Sequence, residues 1–240
     1  MILGHLAGIW RYPIKSLQGE ALAACTVEAR GVPHDRQWAV YGGDGKIGSG
    51  KRTRRFRAMP GLLALHGRVI DDGLAIHFPD GRHFTGPGAD LDAALSAWLG
   101  ETVRVCAEDA IRHHDDAPLH LVTTAACCDL GRKMPDGAAV DARRFRPNLV
   151  IEAVAGRDGS PADPLGDIVL LGSRIALGSA VLQITAHTER CVMIGMAQPG
   201  LTADPKILRV LAEPGLACFG VYAEIESAGT IRCGDAIERL

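Results

Sequence analysis

Residues 62–84 read LLALHGRVIDDGLAIHFPDGRHF, and their rhythm decides the fold class. Two apolar runs, 62–70 and 74–78, flank Asp71-Asp72-Gly73. That triplet between such runs signals a hairpin with a short loop, because glycine accepts the backbone angles a tight reversal needs. Phe78 then enters Pro79-Asp80-Gly81, and the chain returns through Arg82-His83-Phe84. Strand and turn alternating at this spacing predict an antiparallel meander or barrel.

The same rhythm extends in both directions. Residues 37–41 (QWAVY) precede the turn Gly42-Gly43-Asp44-Gly45. Residues 90–99 (DLDAALSAWL) are a short helix: Leu91, Ala94, Leu95 and Trp98 share one face, Asp90 is placed to cap the start, and Gly100 to end it. Residues 100–118 turn polar and carry His113-His114-Asp115-Asp116, which reads as a solvated linker between two units, 1–112 and 113–240. Adjacent histidines face different ways, so a metal site is not expected there. Beyond it come a strand at 119–122, a helix from Thr123-Thr124 to Met134, and strands at 149–154, 168–171 and 181–186. A helix at 203–211 has Asp204 as its cap and Pro205 at its first position. Phe219, Val221, Ala223 and Ile225 alternate with Gly220, Tyr222, Glu224 and Glu226, which predicts another strand. The fold class expected is mostly β with a few short helices.

A length of 240 residues suits one large or two small domains, and 47% hydrophobic against 22% charged residues is ordinary for a soluble globular chain. The net charge of −2 gives no electrostatic reason to expect nucleic acid. The seven cysteines are odd in number and include no Cys-x-x-Cys pair, which argues against a zinc ribbon or an iron–sulfur cluster. All but Cys191 read as small buried core residues, and a reducing cytoplasm fits their use. The first fifteen residues lack the basic start and long apolar run of a signal peptide, and no apolar stretch reaches membrane-span length. A cytoplasmic protein without membrane partner is expected.

Cys191 is the residue that points to chemistry. It follows a strand, residues 181–186, in which Leu182, Ile184 and Ala186 fall on one face, and then a polar segment, 187–190. A thiol just past a strand end, beside Arg190, sits where a thiolate is favoured. Several anion-binding groups accompany it. Lys15 and Ser16 follow Pro13, Arg36 stands between Asp35 and Trp38, and Arg146 precedes Pro147 and is expected to be extended. The helix start at Thr123 and Thr124 offers free N–H groups. Together they are expected to wrap a phosphate. Residues 45–53 imitate a phosphate-binding P-loop, but Arg52 follows Lys51 where Ser or Thr is required and no helix opens, so nucleotide binding is rejected. Lys51, Arg52, Arg54, Arg55 and Arg57 read as a solvated face, or as a rim steering an anionic cofactor, substrate or acidic redox partner. One soft ligand with several anion binders suggests a metal held by a phosphorylated organic cofactor.

Residues 12–20 (YPIKSLQGE), 31–38 (GVPHDRQW), 144–148 (RFRPN), Arg190-Cys191, 219–221 (FGV) and 229–235 (GTIRCGD) occur in this order. The set resembles the MOSC domain proteins, named after the C-terminal domain of molybdenum cofactor sulfurase. The resemblance implies an N-terminal β-barrel-like domain over 1–112 and a C-terminal MOSC barrel over 113–240. Members similar to the mitochondrial amidoxime reducing component bind a molybdenum pyranopterin cofactor (Mo-molybdopterin). By motif match, Cys191 is implied as metal ligand and catalytic residue. Lys15, Ser16, Arg36, Thr123, Thr124, Arg146 and Asn148 are implied as cofactor-binding. The implied activity is reduction of small N-hydroxylated compounds. With no haem, dinucleotide or ferredoxin signature in the chain, electrons would come from a separate reductase or ferredoxin. The alternative is a sulfur or molybdenum cofactor carrier using a Cys191 persulfide. A pterin-binding barrel without activity is the third reading. At family level the resemblance also touches pyridoxal phosphate binding, although no pyridoxal-phosphate desulfurase domain is found. The acidic-aromatic Glu-Asp-x-Trp stretch of many members is replaced here by Asp163-Pro164-Leu165-Gly166-Asp167.

Overall fold

The computed structural model describes residues 2–71, 73–137, 139–153, 171–213 and 217–240. The first half carries strands β1 (Ile2–Arg11), β2 (Glu20–Leu22), β3 (Ala24–Val27), β4 (Trp38–Gly42), β5 (Ile47–Ser49), β6 (Phe56–Ala58), β7 (His66–Ile70), β8 (Gly73–His77) and β9 (His83–Thr85), then helix α1 (Ala89–Leu99) and β10 (Val103–Ala107). The second half carries β11 (Leu119–Thr123), α2 (Thr124–Lys133), β12 (Leu149–Ala153), β13 (Arg174–Leu177), β14 (Ala180–Glu189), α3 (Lys206–Ala212), β15 (Cys218–Ser227), β16 (Gly229–Arg232) and β17 (Ala236–Arg239).

The fold is mostly β, as the turn rhythm predicts. Seven strands close into a barrel in the order β12-β11-β15-β14-β13-β17-β1, with β1 pairing back onto β12 and β2 appended to β1. Within the barrel every pair is antiparallel except β11–β12, whose connection passes through α2, as a parallel pair requires. Side chains alternating along each strand fill the interior: Leu6 and Ile9, Leu119 and Leu121, Leu149 and Ile151, Ile175 and Leu177, Leu182 and Ile184, Val221 and Ala223. Each of these leucine, isoleucine and valine side chains contributes about 1.5–3 kcal/mol on burial. The first half thus lends β1 to the barrel wall, while β3 pairs with β16 beside it.

The remaining strands form a four-stranded sheet, β10-β4-β5-β6, and the three-stranded sheet β7-β8-β9. These sheets and α1 share a second core with Ile14 and Leu17, which come from the segment leaving β1. Those two anchors hold the intervening Lys15 and Ser16 in a fixed turn between the two cores.

Several expectations are corrected. Pro60 opens a 3-10 turn over Pro60–Ala64, so the strand begins at His66 while Leu62 and Leu63 enter the core. Helix α1 is preceded by Gly88 without a side-chain cap; Asp90 lies inside the first turn, and Asp92 Oδ1 instead accepts from Val105 N at 2.8 Å. Gly100 does end the helix, at φ 71°. The polar stretch 100–118 is not simply a linker, since β10 runs through it and His113 and His114 are buried. Tyr41 Oη meets His113 Nε2 at 2.9 Å, which helps hold that ring inside.

Strand β14 does not stop at Ala186. A register shift between Ile184 and Ala186 turns Ala186 outward, a second between His187 and Glu189 restores the inward face at Thr188, and the strand runs on to Glu189. The cysteines are less buried than expected: Cys127 is buried, Cys25, Cys106 and Cys218 are half-buried, and Cys128 and Cys233 are exposed. All seven are free. Residues 163–167 and the strand expected at 168–171 lie outside the described residues, except Leu171, which is in a turn. Among the described residues no helix is long and apolar enough to cross a membrane.

Candidate functional site

A cleft of about 270 Å³ opens where the barrel meets the first-half sheets. Four turns build it. The first leaves β1 at Tyr12, whose backbone is tied on both sides: Tyr12 N donates to Asp35 Oδ1 at 2.8 Å, and Arg36 N donates to Tyr12 O at 2.7 Å. Lys15 N adds a bond to Trp38 O at 2.8 Å. These bonds lock the segment carrying Lys15 to the one carrying Arg36. Ser16 adopts φ 70° and Arg36 φ 49°, a left-handed conformation uncommon outside glycine and concentrated at functional turns.

The third turn is Arg146-Pro147-Asn148. Arg146 is not extended, as its place before proline predicts; it closes the 3-10 turn Ala142–Phe145 at φ 55°, ψ 48°. Its N–H donates to Arg143 O at 3.1 Å, and that reversal aims the side chain inward. Asn148 is used as a rivet: Oδ1 accepts from His120 N at 3.2 Å and Arg36 Nη1 at 3.3 Å, and Nδ2 donates to Trp10 O at 3.3 Å. The fourth turn begins at Cys191, which follows the end of β14 and opens the 3-10 turn Val192–Gly195. Arg190 beside it donates through Nη1 to Phe145 O at 2.9 Å.

Lys15, Ser16, Arg36, Arg146, Asn148 and Cys191 therefore line one cleft, although they lie far apart in sequence. Thr123 and Thr124 do not line it. Thr123 caps α2, with Oγ1 accepting from Ala126 N at 3.0 Å, and is buried in that role.

The cleft is strongly positive. Arg36 and Arg146 both stand over the Tyr12 ring, their Cζ atoms 4.7 and 4.3 Å from its centroid. Asp35 neutralises only Arg36, through a 2.5 Å contact. Burial, with the nearby Arg36 charge, pushes Arg146 down to about 10, so it stays cationic at neutral pH. Its Nη1 donates to Leu17 O at 2.6 Å, while Nη2 is buried with no hydrogen-bond partner among the described residues, as is Tyr12 Oη. A buried donor left without partner costs free energy, and an anion entering the cleft would remove that cost. A second group of cations surrounds Phe56: Lys15 Nζ, Lys51 Nζ and Arg55 Cζ lie 5.1, 5.0 and 5.1 Å from its centroid. Lys15 is held by Asp115 at 2.9 Å and by His113 O at 2.7 Å. Burial lowers the Lys15 pKa, and Asp115 works against that shift.

Two family models match the chain. The MOSC domain matches residues 108–238, and the MOSC N-terminal beta barrel domain matches residues 3–117. The chain belongs to the MOSC family. This MOSC protein is 23% identical to human mitochondrial amidoxime-reducing component 1 over 288 residues, covering 99% of this chain and 83% of the relative. It is 22% identical to the rice molybdenum cofactor sulfurase over 244 residues, covering 81% of this chain but 28% of that protein. Among solved structures, the YuaD protein of Bacillus subtilis superimposes with a TM-score of 0.51 at 14% identity, covering 98% of this chain and 93% of that one. That likeness concerns the fold.

Four more residues line the MOSC cleft that the sequence did not place in a site: His120 and Tyr222, Arg144 from the 144–148 motif, and Asp115 from the segment read as a linker. His120 lies on β11 and Tyr222 on β15, with ring centroids 5.8 Å apart. Burial, reinforced by Arg190, drives the His120 pKa well below its usual value, so the ring is neutral. Burial raises Tyr222 to about 12. Tyr222 was legible only as the outward member of an alternating strand. The basic run divides in space: Lys51 and Arg55 line the cleft, Arg52 and Arg54 are exposed, and Arg57 turns away to Glu101 at 2.6 Å and Asp44 at 3.2 Å.

Proposed function

We propose that this cleft holds a molybdenum pyranopterin cofactor and that the protein reduces N-hydroxylated compounds. The observation that carries the reading is Arg146 Nη2, which has no hydrogen-bond partner among the described residues and is buried in the cleft that also contains Lys15, Arg36 and Cys191. The residues fit the group. A phosphate of roughly two negative charges calls for several cations and N–H donors, and a thiolate is a soft ligand suited to a metal already bound by sulfur. When bound, the cofactor would supply the redox chemistry and an open coordination position.

The chain's own residues divide the work. Arg146 and Arg36 face the phosphate, Lys15 and Ser16 close its other side, and Asn148 holds Arg36 in place. Thr123 and Thr124 stay outside this cradle because neither lines the cleft. Cys191 would offer its sulfur, a soft ligand, to the metal. Residues 1–112 and 113–240 act as two units sharing the cleft, the first contributing Lys15, Ser16 and Arg36, the second Arg146, Asn148 and Cys191. The substrate class is N-hydroxylated, as the name of the human relative suggests. Removing the hydroxyl as water consumes two electrons and two protons, and the electrons come from a separate donor protein.

The test is turnover of an amidoxime by cofactor-loaded protein with a small artificial reductant. Wild type is expected to be active and Cys191→Ser inactive while still folded. Full activity in the mutant would end the ligand assignment. The sulfurase likeness favours a second reading, in which a Cys191 persulfide carries sulfur to another enzyme. Labile sulfane sulfur on Cys191 without molybdenum would select that reading.

A further inference from the structure

Outside the cleft, three histidines stand side by side across the β7-β8-β9 sheet. The register sets His66 opposite His77 and His77 opposite His83. Their ring centroids are 6.2 Å apart for His66–His77 and 5.6 Å for His77–His83. Alternation sends Leu74, Ile76 and Phe84 to the core, so the imidazoles share the outer face. His77 and His83 are exposed and His66 is half-buried. None of the three lines the cleft.

We propose that this row binds a divalent transition-metal ion that prefers imidazole, of the zinc and cobalt(II) type. Metal–nitrogen distances of about 2.0–2.1 Å place two rings on one ion with centroids roughly 4.5–6 Å apart. The His77–His83 pair lies within that span, and the His66–His77 pair lies just beyond it. His77 is the shared member. The sheet supplies the spacing, because directly opposed residues hold their Cβ atoms about 4.5–5.5 Å apart whatever their side chains do.

Burial, with the nearby Arg68 and His77, lowers the His66 pKa, while the Gly19 backbone and Glu20 act against that shift; the net direction favours the neutral imidazole that a metal requires. Among the described residues, no group of three or more His, Cys, Asp or Glu side chains is already arranged to hold a metal. His77 and His83 stand stacked with 18° between their ring planes, so their nitrogens would converge on one ion only after side-chain rotation, with His66 as third ligand and water completing the shell. Imidazole with water suits zinc, cobalt(II), nickel(II) or copper(II), and disfavours magnesium and calcium. The bound ion would tie three strands together.

The experiment uses the full chain, freed of trace metal, titrated with cobalt(II) and then with zinc. The expected result is saturable binding with visible ligand-field bands and no thiolate-to-cobalt charge-transfer band. His77→Ala, a change at an exposed position, should weaken binding about tenfold or more, with smaller losses for His66→Ala and His83→Ala. Zinc should raise the melting temperature of wild type and not of His77→Ala. No saturable binding, unchanged affinity in His77→Ala, or a thiolate band from ions held at cysteine would each overturn the proposal.

Discussion

Arg36 donates through Nη2 to the backbone carbonyl of Arg146 at 3.1 Å, and both guanidiniums stand over the ring of Tyr12. Arg36 is buried and Arg146 half-buried, and Asp35 pairs with Arg36 and not with Arg146. The proposed cradle requires this pair to receive an anion. Arg146→Gln should abolish most of the stabilisation that inorganic phosphate gives in a thermal melt. One hydrogen bond to a charged group contributes about 1.5–3 kcal/mol, so the apparent phosphate affinity should fall roughly tenfold or more. Equal phosphate protection in both proteins would remove Arg146 from the cradle.

Asp35 governs the acid response of this region. Burial would raise its pKa, but Arg36, His114 and the Tyr12 amide outweigh that and hold it at about 2, below the usual 3.8. A carboxyl depressed in the folded state stabilises the fold above its unfolded pKa and loses that contribution as pH falls through the folded one. The shift corresponds to about 2 kcal/mol. Wild type should therefore lose roughly that much more unfolding free energy than Asp35→Asn between about pH 4 and pH 2. At neutral pH the mutant should be less stable by roughly 3–5 kcal/mol, because Arg36 is left buried without its counter-ion. Identical pH slopes would contradict the account.

Gly220 lets β15 pass β11 at the cleft wall. It adopts φ 79°, and an added Cβ would lie 2.4 Å from Leu121 O and 2.6 Å from His120 Nε2. Gly220→Ala should cost at least ~2 kcal/mol in denaturant unfolding. Gly43→Ala is the control: nothing stands within 4 Å of its added Cβ, so its effect should stay within ~0.5 kcal/mol.

Arg52 and Arg54 are the exposed members of the basic rim, since Arg57 is engaged by Glu101 and Asp44 and Arg55 by the backbone of Arg112 and His114. Exposed charges act chiefly on association rate and its salt dependence. Replacing both with Ser should slow donor-driven turnover at low salt and leave turnover with a small artificial reductant unchanged. Equal loss with both reductants would assign the pair a structural role.

Much of this was legible locally. The 66–85 hairpins, α1, the Thr123 cap and the alternation of β15 follow from turn chemistry and side-chain period, which are properties of short windows. The closing of the barrel was not. Strand β1 pairs with β12 and β17, more than a hundred residues away, and a register shift between Leu6 and Gly8 blurs its alternation. Ala186 was misplaced for the same reason, because a bulge reverses the faces of a strand without leaving a mark in composition. The burial of His113 depends on Tyr41 and Lys15, which approach from distant segments. Arg146 shows two local rules in conflict: the residue before proline favours extension, but closing the preceding 3-10 turn required the left-handed conformation. The cleft residues were found through their motif order, whereas Tyr222 and His120 emerged only when β11 and β15 were brought together.

The central claim is that Cys191 binds a metal beside a phosphate cradle that works independently of it. The most direct measurement is molybdenum and pterin content per chain, for wild type and Cys191→Ser, after expression in a host that makes the cofactor. The account predicts about equal amounts of molybdenum and pterin in wild type, and pterin with little or no molybdenum in the mutant. Wild-type protein carrying neither molybdenum nor pterin, or a mutant whose molybdenum content matches wild type, would contradict it.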